Sequence, residues 1–321
     1  MLETIALPGS GRGTTRLGFG GSGLMGGISE RESLLLLETA FDAGIRHFDV
    51  APAYGHGRAE RCLGKFLRGK RDQVTVATKY GILPPAHAGL LEVARSLVGP
   101  AVARLPAVRK RVAQAAGRLR AKAKFSAEEA RRSLERSLRE LGIDYVDVWL
   151  LHEATAEDLD GSDLLPFLQD AQKGGLIGIF GVGGERSHLS QLWQRQRAYC
   201  SLLQLDWSAV EGNVELPKAF LIYHRVVAQV VAIQKMFADH PTLCRRWSDK
   251  IGVDLSDPQA VIATVLAAVL ESNPTGMVLF SSRNRDHILA NMQAAQDADA
   301  VSKGRNFLEL MALDREELGL V

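Results

Sequence analysis

Four titratable residues have types and positions that together could move a proton. Asp49 and Tyr54 lie on a turn rich in proline and glycine that follows the short apolar run 45–48. Lys79 and His152 each end a further apolar run. A nearby ammonium favours the phenolate, so a Tyr–Lys pair exchanges a proton near neutral pH more readily than an isolated phenol with a pKa of ~10. The plainer alternative is a structural Asp49–Lys79 salt bridge beside two unrelated polar residues.

The elements that position these residues are predicted by alternating strand and helix patterns. Helix starts are indicated by Ser29-x-x-Glu32, by Ser126-x-x-Glu129 and by a proline at position 258. Eight apolar or β-branched runs read as strands, at 17–19, 45–49, 74–79, 144–152, 176–183, 202–207, 220–226 and 277–281.

Eight strands, each followed by a helix, predict an α/β protein with a (β/α)8 TIM barrel, here as a single domain over residues 1–321. The first 17 residues predict an N-terminal β-hairpin before the barrel. In such a barrel the carboxyl ends of the strands meet at one mouth. We therefore expect Asp49, Tyr54, Lys79 and His152 to converge there.

A Gly-x-Gly-x-x-Gly match at residues 18–23 offers a competing fold, the Rossmann dinucleotide-binding domain. That motif opens a helix directly, whereas here four more turn residues follow and the helix signal comes only at Ser29. The sequence context therefore disfavours the Rossmann fold.

Composition narrows the class of protein. The chain has 321 residues and a net charge of +2, which implies no general attraction to nucleic acid. It has no apolar run near the ~20 residues of a membrane span, and its start lacks the pattern of a signal peptide. Cys62, Cys200 and Cys244 are scattered and odd in number, which predicts a reduced, cytoplasmic protein without disulfides or a metal site.

A long basic insert, residues 84–125, interrupts the alternation after the third strand. Nine basic residues and one acidic residue lie within 84–124, and apolar residues recur at near-helical spacing. A segment of this length on the active-site face can act as a lid or as a rim that attracts anions. A solvated amphipathic helix packed on the side of the barrel is equally compatible with the pattern.

The turn after Asp49 resembles the signature of the aldo-keto reductases, which is an Asp, a Tyr five residues later and a Gly-x-Gly-x-x-Glu. Tyr54, Gly55, Gly57 and Glu60 match it in order. The family's tetrad of Asp, Tyr, Lys and His is matched by the four residues introduced above. The resemblance runs from near residue 15 to beyond 290. The long insert also occurs in relatives similar to D-threo-aldose dehydrogenases, which makes a sugar a conceivable substrate.

The resemblance implies an NADP(H)-dependent oxidoreductase that reduces an aldehyde or ketone, or oxidises a sugar or alcohol, by hydride transfer. Tyr54 would be the general acid or base, and Lys79, held by Asp49, would lower the pKa of the phenol. His152 would orient the substrate oxygen. The partner would be a small carbonyl or sugar; the oligomeric state is not implied. A non-catalytic or regulatory nucleotide-binding barrel is the alternative.

Cofactor residues are also implied by the resemblance. Gln204 matches the amide that holds the nicotinamide carboxamide, and Tyr223 matches the aromatic that stacks on the ring, although core packing explains Tyr223 as well. Ser282, Arg283 and Asn291 match the segment that binds the adenosine phosphate. Arg283, with Arg285 as a second candidate for the 2′-phosphate, favours NADPH, with NADH possible.

Two departures from the family pattern affect the cofactor contacts. Gly183 and Gly184 stand where the family has Ser-Asn, so side-chain contacts to the carboxamide are lost. Gly183 still occupies the matching position, and we expect it to contact the cofactor there. The sequence 224–226 stands where the family has Ser-Pro-Leu, and Arg225 could replace the pyrophosphate contact by charge.

Overall fold

A computed structural model describes residues 2–84, 122–209, 216 and 218–315. It begins with a hairpin in which β1, Thr4–Ala6, pairs antiparallel with β2, Gly13–Thr15. The predicted N-terminal hairpin is thus confirmed.

Eight parallel strands then close into a barrel, as the sequence predicted. The Rossmann alternative is wrong, because an open doubly wound sheet cannot have this closure. The glycine-rich residues Gly21–Gly23 form a 3-10 turn and do not open the first helix. The barrel strands are β3 Leu17–Gly20, β4 His47–Asp49, β5 Thr75–Tyr80, β6 Val146–His152, β7 Ile177–Gly183, β8 Leu202–Asp206, β9 Phe220–His224 and β10 Met277–Phe280.

Helices cover the outside of the barrel, and their starts follow the capping signals of the sequence. The Ser29 hydroxyl accepts a hydrogen bond from the Glu32 N–H, and the Glu32 carboxylate accepts one from the Ser29 N–H. Ser126 accepts from the Glu129 N–H. The described helices are α1 Glu30–Asp42, α2 Ala59–Leu67, α3 Ala127–Leu141, α4 Ala156–Leu159, α5 Leu164–Lys173, α6 Arg186–Arg195, α7 Val226–Asp239, α8 Pro241–Ile251, α9 Pro258–Ser272, α10 Arg285–Ala295 and α11 Ala300–Leu313.

The core has two layers because alternate residues of each strand face opposite sides of the sheet. One cluster fills the barrel and the other lies between the sheet and the helices. Leu150 of β6 and Ile222 of β9 belong to the inner cluster. The same alternation turns the polar residues at the carboxyl ends of β4, β5, β6 and β8 towards the mouth. A layered, branched aliphatic interior therefore supports a polar site at one end.

The insert leaves the barrel directly after β5. Ile82 and Lys122 form an antiparallel bridge, and the Ala123 N–H donates to the Gly81 carbonyl at 2.7 Å. Residues 85–121 lie outside the described part of the chain, so the predicted lid and the predicted amphipathic helix stay predictions. The single domain over 1–321 also stays a prediction.

The three cysteines are free and buried. Across residues 2–84, 122–209 and 218–315, no helix is long and apolar enough to cross a membrane. The same residues contain no group of three or more His, Cys, Asp or Glu that could hold a metal ion.

Candidate active site

The centre of the site is a buried ion pair between two strand ends. The Lys79 ammonium lies 2.5 Å from both carboxylate oxygens of Asp49. Lys79 is 1% exposed and Asp49 is 3% exposed. Burial alone lowers the pKa of the Lys79 ammonium, but the charges of Asp49 and Tyr54 and the hydrogen bonds to Asp49 outweigh it, so the pKa lies above its usual value. Lys79 is therefore held as a cation inside the barrel.

Tyr54 reaches this pair from a 3-10 turn, Tyr54–Gly57, that follows β4. The turn depends on Gly55, which has a φ of +56° and lies so close to Leu24 that an added Cβ would be 2.5 Å from its carbonyl oxygen. The Lys79 nitrogen lies 5.6 Å from the centroid of the Tyr54 ring. The ring of His152 stands perpendicular to that of Tyr54, with the centroids 6.2 Å apart.

The structure thus brings Asp49, Tyr54, Lys79 and His152 together at one mouth, as the sequence predicted. Of these four, Asp49, Tyr54 and His152 line a cleft of about 450 Å³. Its other lining residues are Gly20, Ser22, Glu153, Gln204, His224, Arg225, Val226, Leu279, Phe280 and Ser281.

Gln204 connects the cleft to the ion pair. Its amide donates to Asp49 Oδ2 at 2.8 Å, and the residue is only 4% exposed. Gly183 lies beside it, so that an added Cβ on Gly183 would be 3.3 Å from Gln204 Oε1. Gln204 lines the cleft, whereas Gly183 is not among its lining residues. The cofactor contacts predicted for both residues stay predictions.

Tyr223 does not lie where the resemblance implies. It is fully buried in the outer layer between the sheet and the helices, and it is not among the residues that line the cleft. The alternation of β9 explains this, because Ile222 faces the inner cluster and the next inward position is His224. His224 lines the cleft instead. Tyr223 therefore packs in the hydrophobic core, which is the alternative given for it above.

His224 and Arg225 share one carboxylate. His224 Nε2 lies 3.4 Å and the Arg225 guanidinium 3.3 Å from oxygens of Asp206. Burial is the main cause that lowers the pKa of His224 to about 4. The charge of Asp206 acts in the opposite direction but is the smaller effect. The imidazole is therefore neutral near pH 7. Arg225 has a φ of +59°, an uncommon conformation for a residue other than glycine.

Sequence reasoning missed Glu153, which lines the cleft directly after His152. Its φ is +58°. Burial and then the charge of Glu185 raise the pKa of the Glu153 carboxyl group. The only signal in the sequence was its position after a predicted strand end.

The segment after β10 lines a second and a third cleft. Ser22 and Ser281 line both the first cleft and a second one of about 350 Å³, which Arg283 also lines. Arg283 in turn lines a third cleft of about 560 Å³. Its guanidinium donates to the Gly26 carbonyl at 3.3 Å.

The other residues predicted in this segment differ in their position relative to the clefts. The Ser282 hydroxyl accepts the Asn284 N–H at 3.0 Å and lies beside Arg283 in the second cleft. Asn291 is 8% exposed within α10 and does not line these three clefts. Arg285 donates to the Thr39 hydroxyl at 2.9 Å, so its Nε–H is bonded to α1.

A sequence model described as the aldo/keto reductase family matches residues 16–220, which is more than half of the chain. The chain belongs to the aldo/keto reductase family. The family predicted from the tetrad and the signature turn is therefore confirmed.

Individual relatives match over shorter stretches. D-threo-aldose 1-dehydrogenase of Pseudomonas sp is 32% identical over 186 residues, which cover 56% of this chain and 50% of that protein. L-galactose dehydrogenase of Arabidopsis thaliana is 30% identical over 191 residues, which cover 57% of this chain and 49% of that protein. The chain thus matches about half the length of these curated relatives.

Solved structures of the family share the fold. The holo form of an aldo-keto reductase from Bacillus halodurans superposes with a TM-score of 0.69 at 16% identity, covering 97% of this chain and 96% of that chain. An aldo-keto reductase from Klebsiella pneumoniae in complex with NADPH gives a TM-score of 0.61 at 18% identity, covering 98% and 95%. At these identities the likeness concerns the barrel.

Proposed function

We propose that this protein is an NADP(H)-dependent oxidoreductase that interconverts a carbonyl group and an alcohol on a small molecule. The observation that carries the proposal is the buried Lys79–Asp49 pair beneath the Tyr54 ring, with the His152 ring against that of Tyr54. A structural salt bridge alone would not require a phenol and an imidazole at the same mouth. Membership of the aldo/keto reductase family supports the same reaction class.

The four residues divide the proton chemistry among them. When a carbonyl carbon accepts a hydride, negative charge develops on its oxygen, and the Tyr54 hydroxyl would donate a proton to that oxygen. Lys79 would favour the phenolate that remains, because an adjacent cation stabilises the charged form. Asp49 keeps Lys79 charged and in place. His152 would hydrogen-bond to the substrate oxygen and orient it. In the reverse direction Tyr54 would accept the proton of the alcohol.

We propose that a dinucleotide lies along the three clefts, which together are called the groove. Neighbouring clefts share lining residues, Ser22 and Ser281 between the first two and Arg283 between the last two. The walls of the groove come close together at two glycines, where a side chain would not fit. An added Cβ on Gly20 would be 2.6 Å from Ser281 Oγ, and one on Gly23 would be 3.2 Å from Arg283 Cγ. When bound, the nicotinamide cofactor supplies or accepts the hydride, which no side chain can do.

The residues that would hold the cofactor follow the length of this groove. Gln204 and Gly183 would contact the carboxamide, and His224, in place of Tyr223, would face the ring. Arg225 would approach the pyrophosphate. Ser282 and Arg283 would hold the adenosine phosphate, and a guanidinium suits the 2′-phosphate of NADPH better than the hydroxyl of NADH. For Asn291, which lies outside the groove, we propose a supporting position within α10 only.

The substrate class we propose is a sugar or a similar hydroxylated carbonyl compound. Two relatives carry the names D-threo-aldose 1-dehydrogenase and L-galactose dehydrogenase, and each is matched over about half of its length. His152, which lines the cleft beside Tyr54, would hydrogen-bond to such a substrate.

We also propose that residues 1–321 form one barrel domain with the insert on the active-site face. The Ile82–Lys122 bridge supports this arrangement, since it lies just beyond the carboxyl end of β5.

A turnover assay tests the proposed function. The purified protein is mixed with NADPH or NADP⁺ and a panel of aldehydes, ketones and aldoses, and the absorbance of the reduced cofactor is followed. We expect turnover with at least one compound class, and loss of it in Tyr54→Phe. Binding of NADPH without turnover of any compound would instead favour a regulatory nucleotide-binding barrel.

A further inference from the structure

Glu153 occupies an unusual position in the cleft. It directly follows β6, and its N–H donates to the Gly183 carbonyl of the neighbouring strand at 2.7 Å. Its φ of +58° lies in the left-handed region, which residues with a side chain rarely adopt. Its side chain lines the same cleft as Tyr54 and Gln204. A strained residue beside a reaction centre suggests a functional constraint on the side chain.

Gly184 makes room for this carboxylate. A Cβ added to Gly184 would lie 3.2 Å from Glu153 Oε2 and 3.6 Å from Glu153 Cα. Any side chain at position 184 would therefore compete with the carboxylate for the same space. The Gly184 N–H donates to the Gln204 carbonyl at 3.0 Å, so this space adjoins the Gln204 end of the cleft. Glu153 thus fills the volume that a longer side chain at 184 would take.

The carboxylates at the cleft differ in their partners. Asp49 is paired with Lys79, and Asp206 is paired with Arg225. Within the described residues, no lysine or arginine forms a salt bridge with Glu153. The negative charge of Glu153 is therefore available to a ligand in the cleft.

The surroundings of Glu153 disfavour the charged form of its carboxyl group. Burial, the charge of Glu185 and the charge of Asp206 raise the pKa of Glu153. A hydrogen bond from the Glu185 N–H and the charge of His188 lower it by less. A cation entering the cleft would remove part of this penalty, because it favours the charged form of a nearby carboxyl group.

We propose that Glu153 is a cofactor-selective residue: its carboxylate, seated over Gly184 beside Gln204, binds the oxidised dinucleotide in preference to the reduced one. The inference rests on the proposed function, in which the nicotinamide lies at the Gln204 end of the cleft. The oxidised ring carries a positive charge and the reduced ring carries none. A single carboxylate therefore distinguishes the two forms by charge, although their shapes are nearly alike.

This preference for the oxidised cofactor favours one direction of the reaction. Tighter binding of the oxidised form keeps the protein loaded with the cofactor that accepts a hydride. The arrangement therefore favours oxidation of an alcohol over reduction of a carbonyl when both cofactor forms are present. Glu153 contacts the cofactor in this account and takes no part in the proton transfer at Tyr54.

The test compares equilibrium binding of NADP⁺ and NADPH, measured by fluorescence or calorimetry without substrate. Glu153→Gln keeps the size of the side chain and removes its charge. We expect NADP⁺ binding to weaken about tenfold, the scale of one charge at a distance of several ångströms, while NADPH binding changes little. Gly184→Ala displaces the carboxylate and should shift the ratio of the two dissociation constants in the same direction. Glu185→Gln, which removes an exposed carboxylate of the same cluster, should shift the ratio less.

The outcomes separate this inference from the proposed function. Equal weakening of both cofactor forms, or an unchanged ratio in folded Glu153→Gln and Gly184→Ala proteins, overturns the selective role of Glu153 and leaves the proposed function standing. A change only in the Michaelis constant for the substrate would make Glu153 a substrate contact and also overturns it. Failure of the wild-type protein to bind either form overturns the proposed function and this inference together.

Discussion

The amide of Gln204 donates to Asp49 Oδ2 at 2.8 Å, and the same carboxylate is bound by the Lys79 ammonium. The residue proposed to hold the carboxamide of the cofactor is therefore bonded directly to the residue that keeps Lys79 charged. If Gln204 holds the cofactor as proposed, one hydrogen bond links cofactor binding to the state of the buried ion pair.

Gln204→Met tests this link because it preserves the length of the side chain and removes its donor. The loss of a hydrogen bond to a buried charged group should lower the free energy of unfolding by about 1.5–3 kcal/mol. NADPH binding should weaken as well. Denaturant unfolding and fluorescence titration measure the two effects. Weaker NADPH binding with unchanged stability would mean that the Asp49 contact contributes nothing.

Lys79→Met should abolish most turnover and destabilise the fold. Removing one partner of a buried ion pair leaves the other charge unpaired, which costs about 3–5 kcal/mol. The double variant Asp49→Asn with Lys79→Met removes both charges and should regain much of this stability, but not the activity. Thermal unfolding and turnover are compared across the three proteins. Recovered activity in the double variant would show that Lys79 does not tune Tyr54.

Arg283 is proposed to recognise the 2′-phosphate of the cofactor. Arg283→Ala should weaken NADPH binding by about 1.5–3 kcal/mol and leave NADH binding nearly unchanged. Arg285→Ala is the matched control, since the Nε–H of Arg285 is already bonded to Thr39. Titrations with both cofactors check this. Equal losses for NADPH and NADH, or a wild-type preference for NADH, would show that Arg283 does not select the phosphate.

His47 makes the stability depend on pH. It is fully buried in β4, where burial lowers its pKa to about 4 from the ordinary value of 6.5. Between these values the unfolded chain binds a proton that the folded chain does not. The stabilising contribution is therefore complete above pH 6.5 and is lost as the pH falls towards 4, by about 3 kcal/mol.

The comparison of wild type with His47→Gln isolates this effect, because other groups titrate in both proteins. The unfolding free energy of the wild type should fall more steeply between pH 6.5 and 4 than that of the variant. Parallel curves would mean that the pKa of His47 in the folded protein lies near its ordinary value of 6.5.

The barrel and the tetrad could be predicted because their signals are local. The Ser29 and Ser126 caps marked the starts of helices, and β-branched runs marked the strands. Asp49 and Lys79 ended two such runs, and parallel strands must present their carboxyl ends at the same mouth. The sequence therefore contained both the fold and the meeting of the four residues.

The position of Tyr223 could not be predicted because a one-residue change of register turns a side chain to the other face of a strand. Tyr223 and His224 both carry an aromatic ring at the end of β9. The structure shows that Ile222 faces the inside of the barrel, and this places the ring of His224, not that of Tyr223, at the cleft. Glu153 was missed for a different reason. Its proposed role depends on the space above Gly184, which directly follows the neighbouring strand β7 and lies far away in sequence.

The central claim is that Tyr54 transfers the proton, and Tyr54→Phe tests it most directly. The substitution removes only the hydroxyl group, so the ring contact with His152 and the fold should persist. The measurement is the turnover of a carbonyl substrate with NADPH, beside a binding titration of NADPH on the same preparation. We expect turnover to fall at least ~100-fold with NADPH binding retained. Turnover at the wild-type rate in the folded Tyr54→Phe protein would contradict the account.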